Sequence, residues 1–380
     1  MIWFAALTLF LVVIATCDVY IGNRLVLALR DVSPEAPPSP PFVSVIVAAR
    51  NEQRNIREAL KSLLKLRYPS FEVIVVDDRS DDATGSILDE MAMECLQLKV
   101  IHVETLPEGW LGKNHALWYG SMHARGDLLL FTDADIVMEP TVLNRAVSFM
   151  TGNKLDHLAA SPSMRMPTLL LGMFGSAFIV IFSLFARPWK ARDPNSYFHI
   201  GIGAFNLIRR DVYRNIGGHE TIRLRPDDDI KLGKIIKRSG YRQDIVYAPE
   251  YLEVEWYASL GEVIKGLEKN AFSGTDYRVS LVLAGVLFHS CCSIWPFMAM
   301  FVTNGMTQVF YVLTAALILF TVADSSRFHR SSPWYALGYP LTSTLFVYIL
   351  LRTMVLNVIQ GGIYWRGTFY SLKELKANRI

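Results

Sequence analysis

The chain reads as an α/β protein with a mostly parallel sheet flanked by helices, tied to a membrane at both ends. Three observations predict this. Four apolar, strand-like runs alternate with single helical patterns between residues 42 and 135, which is the rhythm of βα units. The acidic and polar clusters fall directly after those runs. The apolar residues that lift the hydrophobic share to 52% are gathered into Met1 to Cys17, Met166 to Ala186, Val279 to Ala323 and Ser331 to Leu351, none of which contains Asp, Glu, Lys or Arg.

The first apolar run lacks a basic start and a small-x-small cleavage site, so residues 1–22 are read as a retained anchor rather than a removed signal. Residues 23–41 follow with Pro34, Pro37, Pro38, Pro40 and Pro41. Such a run forms neither helix nor central strand and is expected to be a stiff spacer. A catalytic domain is expected over 42–275. Val43 to Ala49 is β-branched and apolar, and an amphipathic helix follows through Leu66. Phe71 to Val76 is a second strand ending in Asp77 and Asp78, and Lys99 to Val103 a third. Gly112 to Ala124 forms a helix, and Asp127 to Phe131 a fourth strand ending in Thr132, Asp133, Ala134 and Asp135. Continuous apolar character without alternation marks strands buried on both faces. In such a sheet, ligands bind outside the carboxyl ends of the strands, and that is where the carboxylates lie.

Other classes are excluded. A formal charge of +3 and the lack of a basic, aromatic-interleaved stretch argue against a nucleic-acid partner. No GxGxxG follows the first strand and no GxxxxGK[ST] occurs, so dinucleotide and P-loop chemistry are unsupported. The four cysteines have neither zinc spacing nor a disulfide framework.

Asp133 and Asp135, two apart at a strand end, can both reach a hard divalent cation whose remaining positions a pyrophosphate fills. The tripeptide alone is equally a solvated acidic turn. Asp227, Asp228 and Asp229 precede the helical run Ile230 to Arg238. One or two of them serve as N-terminal caps, and a third is a candidate general base toward an acceptor hydroxyl. Asn51 with Glu52, and Asp77 with Asp78, can accept hydrogen bonds from a base and ribose, although turn capping accounts for one of each pair. Lys113, after Gly112, is either near phosphate or a solvated surface lysine.

These pieces together resemble a membrane member of glycosyltransferase family 2 with the GT-A fold. The likeness rests on Val43 to Glu52, Val75 to Asp82 (VVDDRSDD), Gly109-Trp110-x-Gly112-Lys113, Asp133-Ala134-Asp135, Gly203 to His219, and Asp228-Asp229 with Leu232 and the Arg238 to Tyr241 turn. It covers roughly residues 42 to 275. The resemblance implies that Asp133 and Asp135 hold Mg²⁺ or Mn²⁺ and the diphosphate, and that Asn51, Glu52 and Asp78 surround the nucleoside. By the same likeness Asp229 is the inverting base and Asp228 its acidic neighbour, where many relatives have glutamate. Processive synthases of this family carry Gln-x-x-Arg-Trp, and no Arg-Trp pair occurs here, which favours a single transfer. The Lys269-Asn270 pair and Trp365-Arg366-Gly367 are similar to the subgroup with carotenoid-modifying and hopanoid-associated members.

The expected function is inverting transfer from a nucleoside-diphosphate sugar, expected to be a UDP-sugar, to a membrane lipid hydroxyl. The alternatives are transfer to polyprenyl phosphate and a non-catalytic scaffold. The expected setting is a bacterial cytoplasmic membrane with the catalytic domain in the cytosol. A full crossing by residues 166–186 would separate Asp135 from Asp229, so that segment is expected to lie in the interface, to re-enter or to cap the domain, an in-plane helix being favoured. Residues 279–357 are expected to make about three spans, with a turn near Asn304 and Gly305. Three full spans would place the basic tail, 358–380, opposite the catalytic domain, against the positive-inside tendency. Either a segment after Val279 is re-entrant, or the tendency fails at this end.

Overall fold

The computed structural model describes residues 1–380. In chain order the elements are α1 (Ile2–Leu25), β1 (Leu27–Ala28), β2 (Val43–Ala49), α2 (Ile56–Leu64), β3 (Phe71–Asp78), α3 (Thr84–Glu94), β4 (Leu98–Val103), α4 (Gly112–Met122), β5 (Leu128–Asp133), β6 (Val137–Met138), α5 (Val142–Gly152), β7 (His157–Ser161), β8 (Ser163–Arg165) and α6 (Leu169–Ala186). They continue with β9 (Asn206–Arg209), α7 (Arg210–Asn215), α8 (Asp228–Arg238), β10 (Gln243–Tyr247), β11 (Leu252–Glu255), α9 (Leu260–Asn270), α10 (Val279–His289), α11 (Trp295–Val302), α12 (Gly305–Ser325), α13 (Tyr339–Gln360), β12 (Gly362–Trp365), β13 (Thr368–Ser371) and α14 (Leu372–Ala377). The chain divides into an α/β unit, residues 26–164, 188–255 and 380, and a helical unit, residues 1–25, 165–187 and 256–379.

The α/β unit is built on an eight-stranded sheet in the order β1-β10-β7-β9-β5-β2-β3-β4. All neighbours are parallel except β9, which runs antiparallel between β5 and β7. The alternation of side chains explains the two cores. Val43, Val45 and Val47 of β2 face α2, α3 and α5 through Ile56, Leu60, Leu88 and Val142. Ile46 of β2, with Ile74 and Val76 of β3, faces α4 and α8 through Ala116, Leu117, Leu232 and Ile236. Gly120 is required there, because a Cβ would sit 2.7 Å from Cγ2 of Ile46. Register places Ala48 opposite Asp133 and Ala49 opposite Asp77. The carboxyl ends of β2, β3 and β5 therefore finish level, and their polar residues share one edge.

Residues 23–41 depart from a plain spacer. Leu27 and Ala28 add a parallel edge strand beside β10, and Leu29 is fully buried. A two-residue strand carries no periodicity, so only the pairing reveals it.

In the helical unit five helices are long and apolar enough to cross a membrane: Ile2–Leu25, Leu169–Lys190, Val279–Val302, Gly305–Phe328 and Pro333–Ile359. The protein is an integral membrane protein on this ground. The break at Thr303 and Asn304 falls where the sequence places a turn. The helix α6 starts on a Thr168 cap, whose Oγ1 accepts from the Leu171 N–H. It ends at Arg187 in the left-handed region, φ 42°. Ala177 and Val180 of α6 pack among Val12, Ala315 and Ile318.

Candidate active site

The site is assembled at the carboxyl edge of the sheet by Lys113. Leu111 is held by its N–H to the Arg223 carbonyl, 2.8 Å, and Gly112 then opens α4 directly against Asp78. A Cβ on Gly112 would lie 2.0 Å from Asp78 Oδ2, so only glycine allows the approach. One residue on, Lys113 Nζ lies 2.7 Å from Asp133 Oδ1 at the end of β5 and 3.4 Å from Asp228 Oδ1 at the start of α8. The two acidic clusters, about ninety residues apart in sequence, meet on one ammonium group. The surrounding carboxylates push the Lys113 pKa well above its usual range against the opposing effect of burial.

Asp229 is fixed by two backbone donors. The Gly203 N–H donates to its Oδ2 and the Ile230 N–H to its Oδ1, both at 2.8 Å. Gly203 in turn accepts from the Asp133 N–H at 3.1 Å. A Cβ on Gly203 would stand 2.7 Å from Asp133 Oδ2. Burial first, and the neighbouring Asp228 second, push the Asp229 carboxyl up to about 7. His219 lines the same corner. Burial drives its pKa down to about 3, so it is a neutral ring, with Nδ1 2.8 Å from the Tyr213 hydroxyl.

Asp135 lies just beyond. Burial, then Asp133 and Glu52, push its carboxyl up to about 7. The nearby cation, Lys113, is already shared between Asp133 and Asp228. A divalent ion fits this donor set: it supplies the charge that the corner lacks, and two hard oxygen donors suffice when a diphosphate and water complete the shell. No group of three or more His, Cys, Asp or Glu residues is arranged to hold a metal, so an ion bound here would take its remaining ligands from outside the protein.

The remaining predicted residues are placed as follows. Asp78 is buried, with Arg79 Nε 2.7 Å from its Oδ1 and Arg50 Nη1 3.7 Å from its Oδ2. Asn51 has φ 56° and accepts from the Asp81 N–H on Oδ1, which orders the loop after β2. The backbone N–H of Glu52 donates to Thr84 Oγ1, while its carboxylate acts on Asp135. Asp77 is not brought to this group. As the alternate residue of β3 it faces α3, where its Oδ2 lies 2.9 Å from His102 Nδ1 and beside Gly85. Expected from sequence among the nucleotide contacts, Asp77 lies on the face of β3 that packs against α3, and its Oδ1 also accepts from the Ser80 N–H.

Asp227 stands at the N-cap position of α8. It makes no side-chain cap bond and instead faces Arg225, whose Nε and Nη2 lie 3.2 and 3.3 Å from its two oxygens. Arg225 is 1% exposed. Asn114, fully buried, donates from Nδ2 to the carbonyls of Ile222 and Arg225 at 2.7 and 2.9 Å. The acidic turn is thus stitched to α4. Sequence reading missed Arg225 and Asn114, since neither lies in a cluster. The one available hint was that Asn114 directly follows Lys113.

A separate surface cavity lies at the amino end of β5, away from this edge, lined by Pro41, Asp127, Lys154, Arg209 and Asp211.

Carboxylates gathered around a lysine at the carboxyl edge of a mostly parallel sheet flanked by helices belong to a GT-A-like α/β fold. Residues 44–217 match the model of glycosyl transferase family 2. Among relatives, the beta-monoglucosyldiacylglycerol synthase of Nostoc sp. is 36% identical over 117 residues, 30% of this chain and 25% of that protein. The 4,4'-diaponeurosporenoate glycosyltransferase of Staphylococcus aureus is 20% identical over 349 residues, covering 87% of this chain and 89% of that one. The chain spans less than half the length of several curated relatives it matches. A solved mannosyltransferase from Pyrobaculum calidifontis, in complex with GDP-Man and Mn2+, has the same fold, with a TM-score of 0.55 at 19% identity over 94% of this chain and 98% of that one.

Proposed function

We propose that the protein transfers a sugar from a nucleoside-diphosphate sugar to a hydroxyl of a membrane lipid, with inversion at the anomeric carbon. The observation that carries this reading is the meeting of Asp133 and Asp228 on Lys113, with Asp229 clamped beside them. An inverting displacement needs a base on the face of the anomeric carbon opposite the departing diphosphate. Asp229 takes the hydroxyl proton as the acceptor oxygen forms its bond to that carbon and the bond to the diphosphate oxygen breaks. Its two backbone donors hold one rotamer ready for this. Lys113 offsets charge on the departing diphosphate. Asp133 and Asp135 would hold Mg²⁺ or Mn²⁺, which when bound neutralises the diphosphate. The lipid acceptor is supported by the apolar helices and by relatives named for a diacylglycerol product and a diaponeurosporenoate substrate. The longer of these matches also supports the carotenoid-modifying likeness. Incubation with UDP-sugars and extracted membrane lipids should release UDP and yield a glycolipid with inverted anomeric configuration. Retention of configuration would refute the displacement.

Two outcomes follow from the carboxylates. Asp135→Asn should weaken Mn²⁺-dependent UDP binding while leaving the fold intact. Calorimetry showing equal UDP affinity with and without Mn²⁺ in both wild type and variant would remove the metal role. The raised pKa of Asp229 makes its ionised form scarce in acid, so kcat/KM should climb as pH rises through about 7. The same shift makes folding favour the protonated group between its unfolded value and about 7. Its contribution to stability therefore falls as pH rises through that window. A rate that is flat from pH 5 to 8 would contradict the assignment.

A further inference from the structure

The helical unit contains an internal record of which way each helix runs. The helix α1 ends where the chain enters the α/β unit at Val26, so its carboxyl end marks the near side of the bilayer. The helix α12 lies parallel to it. Ala5 packs with Tyr311, Thr16 Oγ1 lies 2.9 Å from Thr321 Oγ1, Asn23 donates to Ser325, and Arg24 pairs with Asp324 at 2.8 Å. The helix α12 therefore ends on the near side. The helices α11 and α12 form an antiparallel hairpin, with Trp295 Nε1 donating to the Tyr311 hydroxyl and Gln308 Nε2 to the Met300 carbonyl, so the stretch Val279–Val302 runs from near to far.

The helix α13 does not make a further crossing. It begins beside the middle of the other helices: Ala336 and Tyr339 share a cluster with Val12, Ala315 and Ile318, and the Tyr339 ring lies 6.2 Å from that of Phe297. From there it runs antiparallel to α10. Ser343 Oγ lies 2.6 Å from His289 Nε2, Arg352 pairs with Glu268 on α9, and Asn357 donates to the Glu268 carbonyl. Since α9 precedes the Val279 crossing, α13 ends on the near side. An independent observation agrees: Ile380 belongs to the α/β unit, its carbonyl accepting from Lys234 Nζ at 2.9 Å.

The segment after α13 is shaped for a bilayer surface. The strands β12 and β13 pair around Arg366 and Gly367, both with positive φ, 47° and 82°. Tyr364 and Phe369 are directly paired, 69% and 43% exposed, with ring centroids 4.9 Å apart, while Ile363 and Tyr370 are buried on the other face. Lys269 Nζ sits 4.8 Å over the Trp365 ring. Lys373, Lys376 and Arg379 follow on exposed positions, and Glu374, the one acidic residue of the segment, is held in the capping box with Ser371. Paired exposed aromatics beside basic side chains suit the layer between acyl chains and phosphates.

We propose that the chain crosses the bilayer three times, that α13 enters and leaves on the side of the α/β unit, and that residues 362–377 anchor in the anionic headgroup layer of that leaflet. This returns the basic tail to the side expected from charge. The test uses a chain whose four cysteines are replaced by alanine, with single cysteines at Leu96, Asn304 or Ala377, labelled with an impermeant maleimide in sealed vesicles of both orientations. Ala377→Cys should label with Leu96→Cys and opposite to Asn304→Cys. Labelling of Ala377→Cys together with Asn304→Cys would overturn the topology. An environment-sensitive dye on Thr368→Cys should shift its emission to shorter wavelength in nanodiscs containing phosphatidylglycerol relative to phosphatidylcholine alone, and K373E/K376E should abolish the difference. Equal emission in the two lipids would overturn the anionic anchor.

Discussion

Replacing Asp229 by Asn should lower turnover by at least about 100-fold, the lower end for loss of a general base, while the affinity for the donor changes little. The side chain keeps its shape in the variant, and one of its two backbone hydrogen bonds still finds an oxygen. What disappears is the capacity to take the acceptor proton. The effect should therefore fall on kcat rather than on the KM for donor, and the rise of rate through about pH 7 should vanish with it. Initial rates on extracted lipid acceptors, with UDP binding measured separately, decide the matter. A near-normal rate would remove Asp229 as the base, and lost UDP binding would move it into the donor site.

The second large effect is on folding. Asp227→Ala takes away the carboxylate that both contacting nitrogens of the buried Arg225 guanidinium face, and that Lys231 Nζ approaches at 3.6 Å. Removing one member of a buried ion pair costs about 3–5 kcal/mol, because the remaining charge stays out of water. For a unit of this size that corresponds to a fall in the unfolding midpoint on the order of 10 °C. Replacing both residues, as Arg225→Met with Asp227→Leu, should recover much of the loss. Thermal denaturation of the full chain in detergent is the measurement, and a midpoint within a degree or two of wild type in Asp227→Ala would show the pair to be of no structural consequence. Had the triple-aspartate turn been only capping and solvation, this substitution would be mild. The structure places the first aspartate against a buried guanidinium, Asp228 beside Lys113 and Asp229 on the Gly203 N–H.

The sequence by itself determined the strands and where they stop. Val43 to Ala49 and Phe71 to Val76 are apolar on both faces, a local pattern that demands cover on both sides, and the carboxylates that end them fall at one sheet edge because parallel strands finish together. The Asp133-Ala134-Asp135 and Asp228-Asp229 clusters were legible for the same reason, as were the apolar helices and the break before Gly305. The two-residue periodicity of a strand also makes Asp77 and Asp78 point to opposite faces, but which face met α4 waited for the fold.

Only the tertiary structure decided the rest. That Lys113 lies between Asp133 and Asp228, that Asp227 answers Arg225, and that Asn114 holds the acidic turn are pairings between residues with no shared period or spacing. The same holds for β9 entering antiparallel between β5 and β7, and for Ile380 returning to Lys234. The physical reason is one of range. Hydrophobic periodicity and turn chemistry act over a few residues and are written locally in the chain. Charge neutralisation and strand pairing between distant segments are settled only when the whole chain has closed on itself and water has been excluded around the groups concerned.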